Sequence, residues 1–209
     1  MPRSPHRAIA LAAALLVASF ALAGCGAGAS PNPASACNGA DEQSYAGFYP
    51  DLERLLPTHV GSQALQQVRS GRYCSSNTLG SLVSVGIHEL QFAGGALPDP
   101  KNRASGVGLV VYRATGMTLN QLADAQANGA GGTQDASGIV AQRTTIAGRT
   151  GIRIDVSVQA GPEMIFVWPE GQPGTYDAVT GVGATEAQIS AAVAAFASTQ
   201  GPPAPSPSP

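Results

Sequence analysis

Two segments of this chain are apolar at nearly every position, and they set the strongest limit on its fold. Residues Gly106 to Tyr112 read GVGLVVY, and residues Met164 to Trp168 read MIFVW. Successive side chains of a strand point to opposite faces of its sheet, so a strand that is apolar throughout needs cover on both faces. The two segments are therefore predicted to be central strands, with protein or an apolar groove on each side.

Other segments show the pattern of half-buried strands. Residues Gly151 to Val158 (GIRIDVSV) alternate, with Ile152 and Ile154 on one face and Arg153 and Asp155 on the other. Clusters of Gly, Pro, Asn and Asp predict turns or loops at residues 94–106, 128–138 and 170–174. Weaker strand patterns occur at residues 64–73, 89–93, 139–146 and 176–182.

Helix start signals are fewer than strand signals. Thr118 with Gln121, and Thr185 with Gln188, have the spacing of a capping box, and a short helical turn is expected over 51–56. Strands joined by short turns, with two or three helices, predict an α+β fold with a largely antiparallel sheet. We expect a single domain over residues 41–197. Whether the two segments that each end in a capped helix arose by duplication is a question that the sequence leaves open.

The first 24 residues have the layout of a secretory signal peptide. Arg3, His6 and Arg7 form a cationic start, and an apolar run from Ala8 to Ala23 follows. A transmembrane helix is the alternative, but the run is shorter than the roughly 20 apolar residues that a span needs. The sequence therefore predicts export.

The end of this leader, Leu22-Ala23-Gly24-Cys25, resembles the lipobox of bacterial lipoproteins. The resemblance implies cleavage before Cys25, a diacylglyceryl group on its thiol and often an acylated amino terminus, for example with palmitate. Two or more acyl chains anchor a protein stably, whereas one chain is marginal. The implied location is extracytoplasmic, held to the cell membrane by lipid.

The segments that flank the domain are poor in residues able to form a core. Residues 25–40 are mainly Gly, Ala, Ser, Pro and Asn, and they predict a flexible tether. Residues 198–209 predict a disordered Pro/Ser tail. Once Cys25 is lipidated, Cys37 and Cys74 are the remaining thiols, and an oxidising compartment favours a disulfide between them. A free reactive thiol or a soft-metal site is the alternative.

The start of the domain offers a second resemblance. Leu55-Leu56-Pro57, followed by Val60-Gly61, resembles a Leu-Leu-Pro-x-x-Val-Gly-Gly stretch in small secreted domains of actinobacterial-type lipoproteins, although Ser62 replaces the second glycine. Such domains are mostly uncharacterised. The resemblance supports an exported lipoprotein and implies no activity.

The charge and the scarcity of lysine argue against two function classes, nucleic-acid-binding proteins and P-loop proteins. Charged residues make up 11% of the sequence, against roughly 25% in ordinary soluble proteins. The formal net charge is −2, which disfavours a nucleic-acid partner. Lys101 is the one lysine and no Gly-x-x-x-x-Gly-Lys motif is present, so a phosphate-binding P-loop is excluded. No cofactor is predicted.

Candidate catalytic residues are scarce. No Gly-x-Ser-x-Gly elbow is present, and His59 and His88 are the only histidines after the leader. They lack the close spacing of zinc ligands, so no catalytic or metal-binding residue is assigned. Arg153 with Asp155 could orient a ligand carboxylate, but a solvated ion pair is the simpler interpretation.

Two hypotheses of function remain. The first is a non-enzymatic binding or interaction module, whose partner is an envelope protein or a hydrophobic small molecule. A hydrophobic small molecule would occupy an apolar groove beside Phe166 and Trp168. Leaving these two side chains in water would cost about 2 kcal/mol each. The alternative is an envelope hydrolase with an unrecognised Ser/His site.

Overall fold

An eight-stranded antiparallel sheet forms the centre of the computed structural model, which describes residues 32, 34–37, 42–99, 105–132, 136–158 and 161–196. The predicted signal peptide, Cys25, most of the tether and the predicted tail lie outside these residues.

Ten strands and four α-helices are present in the described ranges. The strands are β1 (Ser44–Tyr45), β2 (His59–Val60), β3 (Gln63–Ala64), β4 (Gln66–Tyr73), β5 (Leu90–Pro98), β6 (Gly106–Arg113), β7 (Ser137–Ile146), β8 (Arg149–Val158), β9 (Gly161–Pro169) and β10 (Thr175–Val182). The α-helices are α1 (Pro50–Glu53), α2 (Ser76–Leu79), α3 (Leu119–Gly131) and α4 (Glu186–Phe196), and a 3₁₀ helix covers Gly80–Val85.

The order of strands in the main sheet is β1-β4-β5-β6-β10-β9-β8-β7, and β2 pairs with β3 in a separate hairpin. Strand β6 lies between β5 and β10, and β9 lies between β10 and β8. The prediction that the two fully apolar segments are central strands is confirmed.

Helices cover both faces of this sheet. On one face, α2, the 3₁₀ helix and α3 pack against Ile165 and Val167 of β9. On the other face, α1 packs against β4 and β5, and α4 packs against β6, β10 and Trp168 of β9. We call these the α3 face and the α4 face. The two long helices, which begin after Thr118 and Thr185, thus lie on opposite sides of the sheet.

The α+β prediction holds only in its coarser form. The chain forms a single sheet-rich domain with a largely antiparallel sheet, as expected. Its class is nearer to all-β, however, because α1 and α2 have only four residues each and strands make up most of the regular structure. The described part also has four α-helices rather than two or three.

One predicted loop is a strand instead. Residues 94–106 were expected to be irregular, but β5 continues through Gly94 and Gly95 to Pro98. At Gly95, a Cβ atom would lie 2.6 Å from the Cγ atom of Leu65. The missing side chain therefore lets Leu65 pack against the strand, and the glycine signals close packing instead of a turn.

Both capping boxes form. The Thr118 hydroxyl accepts from the Gln121 N–H at 3.3 Å, and the Gln121 side chain accepts from the Thr118 N–H at 2.8 Å. Thr185 and Gln188 make the same reciprocal bonds at the start of α4. These contacts satisfy backbone N–H groups that a helix leaves unpaired in its first turn.

Candidate functional site

A row of polar side chains crosses the α4 face near the end of four strands. Arg72, Gln91, Arg113 and Thr175 occupy paired register positions on β4, β5, β6 and β10. Directly paired residues in neighbouring strands project from the same face, so these four side chains adjoin one another. We call this set the polar row.

The cations of the polar row already have anionic partners. Arg113 lies 2.5 Å from the Asp51 carboxylate of α1 and donates to Gln91 at 2.8 Å. Burial works against ionisation of Asp51, but the bond and charge of Arg113 hold its pKa below the ordinary value. Because Arg113 is neutralised in this way, the row is poorly suited to capture an anionic ligand.

Arg72 is the buried end of the row, with a fully buried side chain. It donates to the Ser35 carbonyl oxygen at 2.8 Å and to the Ser35 hydroxyl at 2.9 Å. Its guanidinium also lies 3.8 Å from the Glu89 carboxylate. Arg72 therefore fixes the segment just before Cys37 against the sheet.

Asp177 lies two residues beyond Thr175 of the polar row in β10, on the same face, paired with Val111 on one side and Trp168 on the other. The residue is 0% exposed, and neither carboxyl oxygen has a hydrogen-bond partner among the described residues. The pKa of Asp177 is raised to about 8: burial and the charge of Glu170 raise it, and the charge of Arg149 and the neighbouring Trp168 indole, which lies outside normal hydrogen-bond geometry, lower it. A carboxyl in this environment is neutral through most of the acidic range.

The buried position of Asp177 limits its chemistry. A general acid or base must reach a substrate proton directly or through one water molecule. The Trp168 side chain next to Asp177 is itself 1% exposed, and its indole nitrogen also has no hydrogen-bond partner among the described residues. Asp177 can hold a proton, but the structure shows no route from it to a bound molecule.

A pocket of about 270 Å³ lies at the opposite end of the sheet, between β8, β9 and the start of α4. Its charged lining residues are Arg153, Asp155, Glu163 and Glu186. Burial raises the pKa of Glu163. With three carboxyl groups and one guanidinium, the lining is not suited to an acidic ligand.

The predicted Arg153–Asp155 pair forms inside this pocket. The Arg153 Nε atom lies 2.8 Å from one Asp155 carboxylate oxygen and 2.9 Å from the other, and its Nη1 lies 2.8 Å from Glu186. Desolvation lowers the pKa of Arg153, but its bonds to Glu186 and Asp155 raise it more. Two carboxylates already neutralise the guanidinium, which argues against its binding a ligand carboxylate.

The groove expected beside Phe166 and Trp168 is filled by the chain itself. Phe166 is 0% exposed and Trp168 is 1% exposed. The Phe196 ring of α4 packs edge-on against Trp168, with 5.2 Å between the ring centroids. The expectation assumed that both long helices cover the same face. Since they cover opposite faces, the sheet needs no ligand on either side, and this candidate site is corrected to protein core.

The predicted Cys37–Cys74 disulfide is present, with 5.5 Å between the two Cα atoms. The Glu42 carboxylate strengthens the same junction by accepting from the backbone N–H groups of Cys74 at 2.8 Å and Ser75 at 2.6 Å, and from the Thr78 hydroxyl. Burial raises the pKa of Glu42, but these hydrogen bonds outweigh it and hold the pKa below its usual value. The candidate lipidation residue, Cys25, lies outside the described residues.

The two histidines of the domain do not meet. His59 is exposed in the β2–β3 hairpin, where its Nδ1 lies 3.1 Å from the Thr58 hydroxyl, and His88 is exposed just before β5. Across the described ranges, no three His, Cys, Asp or Glu side chains are grouped as metal ligands. Within the same ranges, no helix is long and apolar enough to cross a membrane.

The sheet edge formed by β7 is the functional feature that sequence reasoning missed. From Ser137 to Arg143 every residue of this strand is exposed, including Ile139 at 40% and Val140 at 53%. A strand is exposed on both faces only at the margin of a sheet. The predicted strand at 139–146 contained no signal that it would be a margin, because strand order is set by distant pairing.

No family model, no curated protein and no solved structure matches this chain. The function is therefore inferred from its own residues.

Proposed function

We propose that this chain is a lipid-anchored lipoprotein of the cell envelope, and that its extracytoplasmic domain binds a partner without catalysing a reaction. The observation that best supports an extracytoplasmic location is the Cys37–Cys74 disulfide. Disulfides persist in exported proteins and are rare in the cytoplasm. The bond agrees with the leader and with the lipobox-like stretch that ends at Cys25.

The proposed anchor places one end of the domain close to the membrane. Ser35, which bonds to Arg72, is ten residues after Cys25. A fully extended chain spans at most about 3.6 Å per residue, so the tether would reach roughly 35 Å. The end of the sheet that holds the polar row would face the membrane, and the pocket beside Arg153 would face away from it.

The absence of accessible chemistry among the described residues favours binding over turnover. Asp177 is sealed in the core, Arg153 is occupied by two carboxylates, and Trp168 is covered by α4. The open strand β7 is the surface best suited to a partner, because its outward backbone groups can pair with another strand. The partner that fits such an edge is a protein, and a hydrophobic small molecule is less well supported.

The anchor is tested by replacing the thiol that would carry it. Cys25→Ser should move the protein out of the detergent phase or leave an uncleaved precursor, and incorporation of radiolabelled palmitate should be lost. The matched control is the double variant Cys37→Ser/Cys74→Ser, which removes the other two thiols and should still incorporate palmitate. Normal processing and detergent partitioning of Cys25→Ser would contradict the anchor.

The choice between a module and a hydrolase is tested separately. A fluorophosphonate probe, which labels activated serines, should leave the folded protein unlabelled. Labelling that is lost in His59→Ala or in His88→Ala would replace the proposal with the envelope hydrolase. Native mass spectrometry of protein extracted from its own membrane should show no noncovalent lipid, because the α4 face is filled. Retained lipid would restore the hydrophobic ligand.

A further inference from the structure

The two edges of the sheet differ in the contacts that their outer strands make. At one edge, β1 pairs with Ser70 and Gly71 of β4, and the Cys37–Cys74 disulfide ties the preceding chain to the end of that strand. At the other edge, β7 pairs with β8 and has no second strand neighbour in the described part of the chain. The β7–β8 register shifts between Ser137 and Val140, and the regular open edge from Val140 to Ile146 is a template for strand pairing with another chain.

The register of β7 shows which backbone groups are available. A two-residue turn at Ala147 (φ 47°) and Gly148 (φ 81°) joins β7 to β8, so Ile146 and Arg149 form the first hydrogen-bonded pair. Hydrogen-bonded and non-hydrogen-bonded pairs alternate along an antiparallel ladder. The N–H and C=O groups of the three residues 141, 143 and 145 therefore point away from the sheet.

We propose that β7 pairs antiparallel with β7 of a second copy of this chain, about a two-fold axis at Gln142, to form a sixteen-stranded sheet across the dimer. This arrangement goes beyond the proposed function and does not depend on acylation of Cys25. Gln142 would stand opposite its own copy, and the outward backbone groups of Ala141 would bond to those of Arg143 in the second strand.

The side chains of β7 favour this register over its neighbours. Arg143, the only charged residue of the strand, meets the small Ala141. At the same time, Val140 stands opposite Thr144, so β-branched side chains pair across the regular part of the ladder. Such cross-strand pairs stabilise a sheet.

The alternative registers lose these contacts. A shift that centres the pair on Arg143 places two guanidinium groups directly opposite each other, and like charges in that position are destabilising. A shift the other way, centred on Ala141, places Arg143 opposite Ile139 and Gln142 opposite Val140. Of these three registers, the one centred on Gln142 makes the strand complementary to itself, with Arg143 opposite Ala141. That self-complementarity identifies the occupant of the edge as a second copy.

Disulfide cross-linking tests both the partner and the register. Directly opposed residues of a non-hydrogen-bonded pair have Cα atoms about 4.5 Å apart, within the range that a disulfide spans. The exposed variant Gln142→Cys, oxidised in the full-length protein, should therefore form a covalent dimer. In the same register the two copies of Thr144 would be about 13 Å apart along the strands, so Thr144→Cys alone should stay monomeric on a nonreducing gel.

Two further samples, a mixture of two cysteine variants and the unmodified chain, complete the cross-linking test. A mixture of Val140→Cys and Thr144→Cys chains should form a heterodimer, and the unmodified chain, which has no cysteine on β7, should form none. Equal cross-linking of Gln142→Cys and Thr144→Cys would indicate random collision and overturn the proposal. Failure of Gln142→Cys to cross-link, or its cross-linking to a different protein, would overturn it as well.

Sedimentation of the chain without added cysteines keeps the proposal testable if a cysteine variant does not fold. It should sediment as a dimer in detergent, and a monomer at every concentration would overturn the proposal. Val140→Lys, which places a charge on the edge, should weaken dimerisation at least tenfold. The matched control is Val85→Lys, because Val85 is similarly exposed, at 47%, but lies on the 3₁₀ helix. Equal effects of the two lysines would also count against the β7 interface.

Discussion

The two faces of the sheet bury similar apolar side chains but differ in their buried polar groups. The α3 face is lined mainly by Leu, Ile, Val, Ala and aromatic residues, with Glu163 near the start of β9 as its buried charged residue, and the Tyr176 hydroxyl donates to the Met117 carbonyl at 2.7 Å. The α4 face holds Arg72 at 1% exposure and Asp177 at 0% exposure within an otherwise apolar cluster.

This difference separates two contributions to stability. Apolar packing scales with the area removed from water and should be comparable on both faces. Buried ionisable groups cost free energy unless they are paired, and their cost depends on pH. The comparison therefore predicts that cavity-creating substitutions lower the free energy of unfolding equally on the two faces. It also predicts that removing a buried ionisable group changes this free energy more on the α4 face. Four sets of substitutions test it.

The largest effect should come from equivalent cavities on the two faces. Ile189 of α4 and Leu122 of α3 are both 0% exposed. Ile189→Ala and Leu122→Ala should each lower the free energy of unfolding by about 4 kcal/mol, measured by urea denaturation. Asp124→Ala, at an exposed position of α3, is the control and should change it by less than about 0.5 kcal/mol. A much smaller loss on one face would show that its helix packs loosely.

Asp177→Asn should stabilise the protein, with an effect that depends on pH. The unfolded carboxyl titrates near 3.8 and the folded one near 8. The contribution of Asp177 to the free energy of unfolding is therefore fully present below about pH 4. It falls as the pH rises toward 8 and is constant above pH 8. At pH 7, Asp177→Asn should raise the free energy of unfolding by about 2–4 kcal/mol, because neither state of an amide ionises.

The pH dependence separates Asp177 from simple repacking. Urea denaturation at pH 4, 6 and 8 should show the gain from Asp177→Asn growing with pH. Glu163→Gln provides the comparison on the α3 face, where burial also raises the pKa. Its effect should have the same sign and be smaller, because Glu163 is 8% exposed. A gain from Asp177→Asn that does not change with pH would contradict the assigned cause.

Arg72→Met should lower the free energy of unfolding by about 2 kcal/mol, the typical contribution of hydrogen bonds to a charged group. The substitution removes the bonds to Ser35 but keeps an apolar stem in the core. Arg54→Met, at an exposed arginine, should change little. Because the contact holds the segment before Cys37, limited proteolysis should also cut Arg72→Met faster than the unchanged chain in that segment. Equal cleavage would show that the disulfide alone holds it.

The smallest effect is expected for the buried hydroxyl of the α3 face. Tyr176→Phe removes the bond to the Met117 carbonyl and should cost about 1 kcal/mol. Tyr45→Phe, at a residue 37% exposed, is the control. Thermal melting at two pH values should show the same cost at both. A cost that depends on pH would mean that the α3 face also contains a titrating group coupled to Tyr176.

The features that the sequence predicted are local ones. The alternating pattern over 151–158 predicts a strand because side-chain direction repeats every two residues, and β8 covers those residues. The capping boxes at Thr118 and Thr185 depend on bonds between residues three apart. The disulfide followed from the small number of thiols in a chain predicted to be exported.

The features that it did not predict depend on distant contacts. Asp177 lies in a predicted strand, but its burial depends on residues that strand pairing brings beside it, such as Val111 of β6 and Trp168 of β9. Gly95 was interpreted as a turn because the close approach of Leu65 cannot be known beforehand. The face that each helix covers and the edge position of β7 follow from strand order. Sequence reasoning therefore found the elements and missed both the filled groove and the open edge.

The position of β10 has a consequence for how the chain reaches its native state. This strand is the last in sequence, yet it lies at the middle of the sheet, between β6 and β9. Strands β4 to β6 and β7 to β9 can each form a meander by local pairing, but the two meanders share no ladder until residues 175–182 arrive. A chain that emerges from the membrane amino terminus first must therefore be almost fully translocated before the sheet is complete. Pulse-labelled hydrogen exchange during refolding should show the β6–β10 and β9–β10 ladders becoming protected in a single phase, and separate phases would refute this order of assembly.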